Sequence, residues 1–242
     1  MKTEMKPAFY ALEPGTWRDY VTLLHPPYTA WHLSYVVFGA AAAPVVHLDR
    51  LGGAVLAFFL AVGIGAHALD EIQGRPLRTR ISDAFLVAIA AVSLLGALIL
   101  GVIAALTISL WVIPLIMFGE FAVLAYNLEL SGGQFHSDMW FAVAWGAFPA
   151  LVGYWASAER LSLEAVLVAA ACMALSLAQR ALSKQVRLIR RKVRTLEGRM
   201  VFQDGHEENI NVSSLLSAPE AALRFMTVFV ILLSLGFLIV RL

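Results

Sequence analysis

The chain has 242 residues, of which 60% are hydrophobic and 14% are charged, and its mean hydropathy is +0.76. A soluble domain carries about 25% charged residues, so this composition excludes a soluble globular domain. The net charge of +1 gives no reason to expect a nucleic-acid partner, and the single cysteine, Cys172, excludes an intrachain disulfide or a cysteine metal cluster. The expected fold class is all-α, a polytopic bundle of membrane helices.

Seven apolar segments are predicted to be membrane helices, each of which needs about 20 mostly apolar residues. Because only a few residues join the first to the second, the third to the fourth and the fifth to the sixth, these pairs should be antiparallel. The segments are 31–48, 52–69, 84–105, 110–126, 140–157, 163–182 and 222–240. They divide the chain into an N-terminal segment (1–28), a six-helix membrane core (29–182), a basic loop (183–221) and a C-terminal transmembrane helix (222–242).

Lysine and arginine set the expected orientation. If the N-terminus is inside, the outer segments hold only Arg50, Arg160 and Arg241, and nearly all other basic residues lie inside. Because inner loops carry the excess of positive charge, we expect a cytoplasmic N-terminus. The expected location is a prokaryotic inner or plasma membrane.

The loop 183–221 begins with a basic stretch in which Val186, Ile189, Val193 and Leu196 recur at helical spacing. This pattern predicts a basic amphipathic helix, which either continues the sixth helix or lies on the anionic leaflet. Two roles are open for it: a membrane anchor that fixes orientation, or a cover over a cytoplasmic active-site mouth.

Polar residues are costly in membrane helices and often functional there, and a first group of them ends the second helix. His67, Asp70 and Glu71 share one helix face, and their carboxylates suit Mg²⁺. The arginines that follow would bind phosphate oxygens: Arg75, Arg78 and Arg80. The alternative is an ordinary loop in which the two carboxylates pair with these arginines.

A second polar group ends the fourth helix and, by the topology above, lies on the same side of the membrane. Glu120, within that helix, needs a partner or a proton, and we expect it to be catalytic together with Asp70 and Glu71. The expected substrate-binding residues of this group are Tyr126, Asn127, His136 and Asp138. The alternative is a solvated loop, which is where polar residues usually lie.

The order and spacing of several motifs resemble those of the UbiA-type intramembrane prenyltransferase superfamily over about residues 28–182. The motifs are His67-Ala-Leu-Asp70-Glu71, Arg75-Pro76-Leu77, Arg80-Ile81-Ser82, Tyr126-Asn127-Leu128 and Trp145-Gly146-Ala-Phe-Pro149-Ala-Leu-Val-Gly153-Tyr154. The resemblance implies a helical fold around a central cavity. It also implies transfer of a prenyl group from a polyprenyl diphosphate, a membrane isoprenoid, to an acceptor with the help of Mg²⁺. Asp70 and Glu71 would then bind the diphosphate through Mg²⁺, and Arg75 would lie near the phosphates.

Two other functions are open. A mixed histidine and carboxylate site would suit Fe, Mn or Zn better than Mg²⁺, with ligands drawn from His67, Asp70, Glu71, Glu120, Glu129, His136 and Asp138. Residues 178–183, where the family has its second aspartate-rich motif, contain no aspartate. That difference favours a non-catalytic protein that binds an isoprenoid or serves as a membrane scaffold.

Overall fold

The computed structural model describes residues 5–242. Within this part of the chain, seven long helices follow a short N-terminal helix, α1 (Thr16–Leu23). They are α2 (Pro26–Ala42), α3 (Leu48–Ile72), α4 (Asp83–Thr107), α5 (Val112–Asn127), α6 (Asp138–Ala158), α7 (Leu163–Lys192) and α8 (Val212–Arg241). A short turn, Leu130–Gly133, separates α5 from α6, and an antiparallel hairpin of β1 (Gly198–Val201) and β2 (Glu207–Ile210) separates α7 from α8.

Five of the described helices are long and apolar enough to cross a membrane: α3, α4, α6, α7 and α8. Helix α5 is apolar but has 16 residues. Val92 on α4 and Phe225 and Val240 on α8 are among the apolar side chains left exposed on the bundle surface, and a surface of this kind is stable against lipid rather than water. The chain is therefore an integral membrane protein with an all-α bundle, as predicted. That seven helices cross the membrane stays a prediction.

The first long helix differs from the predicted segment 31–48. Helix α2 begins at Pro26, with prolines in its first turn, where their missing N–H groups need no helical partner. It ends at Ala42, because Ala43 precedes Pro44 and adopts an extended conformation with ψ 154°. Leu48, predicted as the last residue of this helix, is instead the first residue of α3.

The basic loop is only partly helical. Helix α7 continues without a break to Lys192 and buries Val186 and Ile189. Val193, predicted to belong to the same amphipathic helix, is extended with ψ 122°, and the chain then enters the hairpin. Helix α8 begins at Val212, well before the predicted start at residue 222, and Asn211 caps it through a reciprocal capping box with Ser214.

Helices α2 and α6 pack with their backbones in contact. A Cβ atom on Gly39 would lie 1.9 Å from the carbonyl oxygen of Ala150, and one on Gly153 would lie 2.0 Å from the carbonyl oxygen of Val36. Small residues at helix crossings in membranes permit this close approach. The contact lies at Ala150 and Gly153, immediately C-terminal to the π-helical part of α6 (Val143–Ala147).

We expect Gly153→Ala to lower the free energy of unfolding by about 2 kcal/mol or more, because the added methyl group must displace a backbone oxygen. Thermal unfolding of the detergent-solubilised protein, followed by circular dichroism, measures the effect. Gly236→Ala on α8 is the matched control, since its Cβ would have no neighbour within 4 Å. Equal melting temperatures for the two variants would contradict the close contact.

Candidate functional site

A polar cavity of about 240 Å³ lies at the end of the bundle that carries the N-terminal segment and the basic end of α7. Residues 7–10 close part of it, and α2, α3, α5, α6 and α7 form the rest of its wall. Its polar lining residues are Tyr10, His25, Tyr28, His32, His67, Asp70, Tyr126, Asn127, His136, Gln179, Arg180, Ser183, Arg187 and Arg191. The cavity thus brings together His67 and Asp70 from the first predicted group and Tyr126, Asn127 and His136 from the second.

Two π-helical segments shape this cavity, one in α3 (Phe59–Ala66) and one in α6 (Val143–Ala147). Such segments widen a helix locally and are frequent at functional sites. In each, a carbonyl oxygen lies near a histidine Nδ1 atom: Gly63 O at 3.1 Å from that of His67, and Trp145 O at 2.8 Å from that of His32. Because a carbonyl only accepts hydrogen bonds, each Nδ1 carries a proton, and in the neutral ring Nε2 is then an acceptor.

His136 is held in the same way, with its Nδ1 3.1 Å from the carbonyl oxygen of Tyr126 and its ring stacked on the Tyr126 ring at 4.3 Å. Three histidines from different elements are therefore fixed in one tautomer around the cavity. The sequence offers no recognisable signal for the π-helical segments, so this arrangement could not have been predicted from it.

His25 was not among the predicted site residues, yet it lines the polar cavity. Its ring stacks on the ring of His67 at 4.0 Å, and its Nδ1 is hydrogen-bonded to the hydroxyl group of Tyr10 at 2.7 Å. Two buried polar atoms of the cavity have no hydrogen-bond partner among residues 5–242: Nε2 of His25 and Oε1 of Gln179. Buried polar atoms are normally paired, so these two indicate a place for a polar group of a ligand or for water.

The neighbouring carboxylates Asp70 and Glu71 have different environments. Glu71 is fully buried, and its carboxylate accepts hydrogen bonds of 2.9 Å from the backbone N–H of Leu77 and from both the N–H and the hydroxyl group of Thr79. It thereby holds the loop 74–80, in which Arg75 and Arg78 adopt left-handed backbone conformations. Asp70 lines the cavity and makes no hydrogen bond or ion pair with any described residue.

The predicted phosphate-binding arginines, Arg75, Arg78 and Arg80, are not among the described residues that line the polar cavity. Arg75 bonds to backbone carbonyl oxygens of its own loop and to Asp83, and the backbone N–H of Arg80 donates to Asp19. The arginines that line the cavity come instead from α7: Arg180, Arg187 and Arg191. Arg187 and Arg191 lie one helical turn apart in the predicted amphipathic helix, and this spacing is the sequence feature that could have identified them.

The remaining predicted residues are divided between two places. Asp138 forms an ion pair with Arg180 at 2.9 Å and lies 3.6 Å from the ammonium group of Lys184; it orients Arg180 rather than lining the cavity. Glu120 lines a second, mostly apolar cavity of about 400 Å³ between α3, α4, α5 and α6. The structure therefore separates Glu120 from the other predicted catalytic residues, Asp70 and Glu71.

The described residues contain no group of three or more histidine, cysteine, aspartate or glutamate side chains positioned to hold a metal ion. The triad His67, Asp70 and Glu71 does not form one, because Glu71 is engaged in its loop. The ligands predicted for a transition metal are also dispersed. His67, Asp70 and His136 line the polar cavity, Glu120 lines the apolar one, and Asp138 is paired with Arg180. Both metal sites stay predictions, and the residues as arranged do not fit a Mg²⁺ ion held by the protein alone.

No family model matches this sequence, and no curated protein and no solved structure is significantly similar to it. The resemblance to the UbiA-type superfamily therefore rests on the quoted motifs alone.

We expect Glu71→Gln to lower the free energy of unfolding by about 1–3 kcal/mol, because its amide group would face N–H donors that now bind a carboxylate oxygen. The matched control is Asp70→Asn, which removes no hydrogen bond among described residues and should leave the melting temperature nearly unchanged. Thermal unfolding in detergent compares the two. Equal falls in melting temperature for the two variants, or no fall for Glu71→Gln, would argue that Glu71 belongs to the site rather than to the loop.

We also expect His25 to make the folded state less stable in acid. Burial, together with the neighbouring His67 ring and the positive charges of Arg191 and Arg187, holds the pKa of His25 well below its usual value of 6.5. Below about pH 6.5 the unfolded chain therefore binds a proton that the folded chain does not, and stability falls as the pH falls. The melting temperature of the wild type should drop more between pH 7.5 and 5.5 than that of His25→Gln. An equal drop in the two proteins would contradict this prediction.

Proposed function

We propose that this membrane protein binds an amphipathic lipid with a phosphate or diphosphate group, and that the polar cavity holds that group. The observation that carries the proposal is the pair Arg187 and Arg191. Both line the cavity, and neither forms an ion pair with a carboxylate among residues 5–242. Guanidinium groups match the geometry of phosphate oxygens and bind them through paired hydrogen bonds.

The other arginines on the same helix strengthen the argument. Arg180 is paired with Asp138, and Arg190 with Glu220. Among residues 5–242, Arg187 donates only to the hydroxyl group of Ser183 at 2.9 Å, and Arg191 donates to the carbonyl oxygen of Pro7 at 3.3 Å. Among the described arginines of α7, the two without an ion pair are thus those that line the cavity together with the single carboxylate of Asp70, and the net positive charge favours an anionic ligand.

The position of the cavity favours a lipid over a soluble phosphate. Val62, Ala66, Phe141 and Trp145 form apolar parts of its wall, and all four lie on helices that are long and apolar enough to cross a membrane. An isoprenoid diphosphate is the lipid that the motif resemblance favours. We also propose that this end of the bundle faces the cytoplasm, because it carries most of the basic residues.

Prenyl transfer with Mg²⁺ is the second candidate function, and Asp70 favours it. This carboxylate has no described partner and shares the cavity with Arg187 and Arg191. Since Mg²⁺ in proteins is often bound by one or two carboxylates together with substrate phosphates, Asp70 is the residue whose loss should abolish any Mg²⁺-dependent binding. Binding without turnover would support the non-catalytic alternative.

The test is binding of a long-chain prenyl diphosphate to the detergent-purified full chain, with and without Mg²⁺. We expect Arg187→Gln and Arg191→Gln each to weaken binding about tenfold or more, the effect of losing a charge-assisted hydrogen bond. Arg194→Gln, at an exposed position outside the cavity, is the matched control. Competition by the corresponding prenyl alcohol as strong as that by the diphosphate would contradict phosphate recognition.

Incubation with a radiolabelled prenyl diphosphate and membrane lipid extract separates binding from catalysis. Release of diphosphate that requires Mg²⁺ and is lost in Asp70→Asn would support prenyl transfer. No binding to the wild type under any condition would overturn the proposed function altogether.

A further inference from the structure

The apolar cavity lies between α3, α4, α5 and α6, and it extends to the end of the bundle at which α3 begins and α4 ends, where Asp49 and Thr107 line it. Almost all its lining residues are apolar, and the described polar ones are Asp49, Arg50, Thr107 and Glu120. Ile103 on α4 both lines it and is 51% exposed on the outside of the bundle. The cavity is therefore open sideways, toward the surface that contacts lipid.

Glu120 is the unusual feature of this cavity. It lies near the middle of α5, is half-buried, and forms no hydrogen bond and no ion pair with any described residue. A carboxylate among membrane helices is costly unless it is neutralised by a partner or a proton. Among residues 5–242 the protein supplies no such partner, so the charge of Glu120 is met either by a proton or by a cation that enters the cavity.

The other charges around the cavity leave it negative. Arg50 is bonded to Glu159 at 2.7 Å and also donates to the carbonyl oxygen of Ala156, so its charge is already compensated. Asp49 and Glu120 remain, both acidic. A positively charged occupant is therefore favoured over a neutral or anionic one.

The walls determine what kind of cation fits. A small hard cation such as Ca²⁺ or Mg²⁺ takes about six or more oxygen ligands, and this lining offers mostly carbon. Four aromatic side chains line it instead: Phe58, Trp145, Phe148 and Trp155. Aromatic faces attract organic cations whose charge is spread over apolar groups.

From this combination we propose that the apolar cavity is a binding site for a lipophilic organic cation. Its charge lies against the carboxylate of Glu120, and its apolar groups lie against the aromatic walls. A volume of about 400 Å³ is within the range of small-molecule sites. The site does not depend on the ligand of the polar cavity, because it shares only Val62 and Trp145 with that cavity.

The experiment measures binding of tetraphenylphosphonium to the detergent-purified full chain by equilibrium dialysis. Tetraphenylborate, which has nearly the same shape and the opposite charge, is the ligand control. We expect saturable binding of the phosphonium to the wild type, a loss of about tenfold or more in Glu120→Gln, and no competition by the borate. Glu164→Gln, at a fully exposed position, should bind as the wild type does.

Two glycines of α3 provide a test that leaves Glu120 in place. A Cβ atom on either Gly52 or Gly53 would have no neighbour within 4 Å, but only Gly53 lines the cavity. Gly53→Leu should fill the cavity and abolish binding, whereas Gly52→Leu should leave binding unchanged. This pair decides the question even if Glu120→Gln does not fold.

Three results would overturn the proposal: no saturable phosphonium binding to the wild type, equal affinity in Glu120→Gln, or equal affinity in the two glycine variants. Arg187→Gln separates this site from the proposed phosphate site, because it should weaken binding of prenyl diphosphate without changing binding of the phosphonium. Loss of both ligands in Arg187→Gln would instead indicate a general structural defect and contradict two separate sites.

Discussion

The interior of a membrane offers no water to unpaired backbone groups, and this constraint governs how the polar cavity is built. Within Phe59–Ala66 and Val143–Ala147 the helices widen into π-helical turns, and a carbonyl oxygen from each segment is bonded by a histidine ring, that of His67 or His32. The histidines thus satisfy the backbone where the helical pattern changes. The same bonds fix which ring nitrogen is protonated, so backbone geometry and the chemistry of the cavity are set together.

Charged side chains are also costly where there is no water, so those inside the bundle need a partner. The ones that lack a described partner lie in the two cavities. Arg190 is paired with Glu220, and Glu71 accepts hydrogen bonds from three groups of its loop. Four buried or half-buried charged residues without an ion pair among the described residues line a cavity instead: Asp70, Arg187 and Arg191 line the polar one, and Glu120 lines the apolar one. Since isolated charges are costly away from water, their confinement to cavities is the physical reason to regard both as binding sites.

The sequence predicted the helical bundle well because apolar runs dominate it, and the boundary errors have local causes, such as Pro44 ending α2 early. The site was harder to predict. The spacing of His67 and Asp70 was informative, but nothing in the sequence separates Asp70 from Glu71. Their different roles depend on a loop that folds back onto only one of them. The arginines immediately after this motif do not line the polar cavity, whereas Arg187 and Arg191, more than a hundred residues away, reach it only through tertiary packing.

Trp145 marks the place where the two cavities adjoin. Its side chain, 5% exposed, lies between them with Val62 and lines both. Its carbonyl oxygen is held by His32 on α2, and its ring packs at a steep angle on that of Tyr126. The close contact of α2 with α6 at Gly39 and Gly153 keeps this backbone in place. A residue held from α2, α5 and α6 cannot move aside without breaking buried packing, so the proposed phosphate site and the proposed cation site would stay separate although they adjoin.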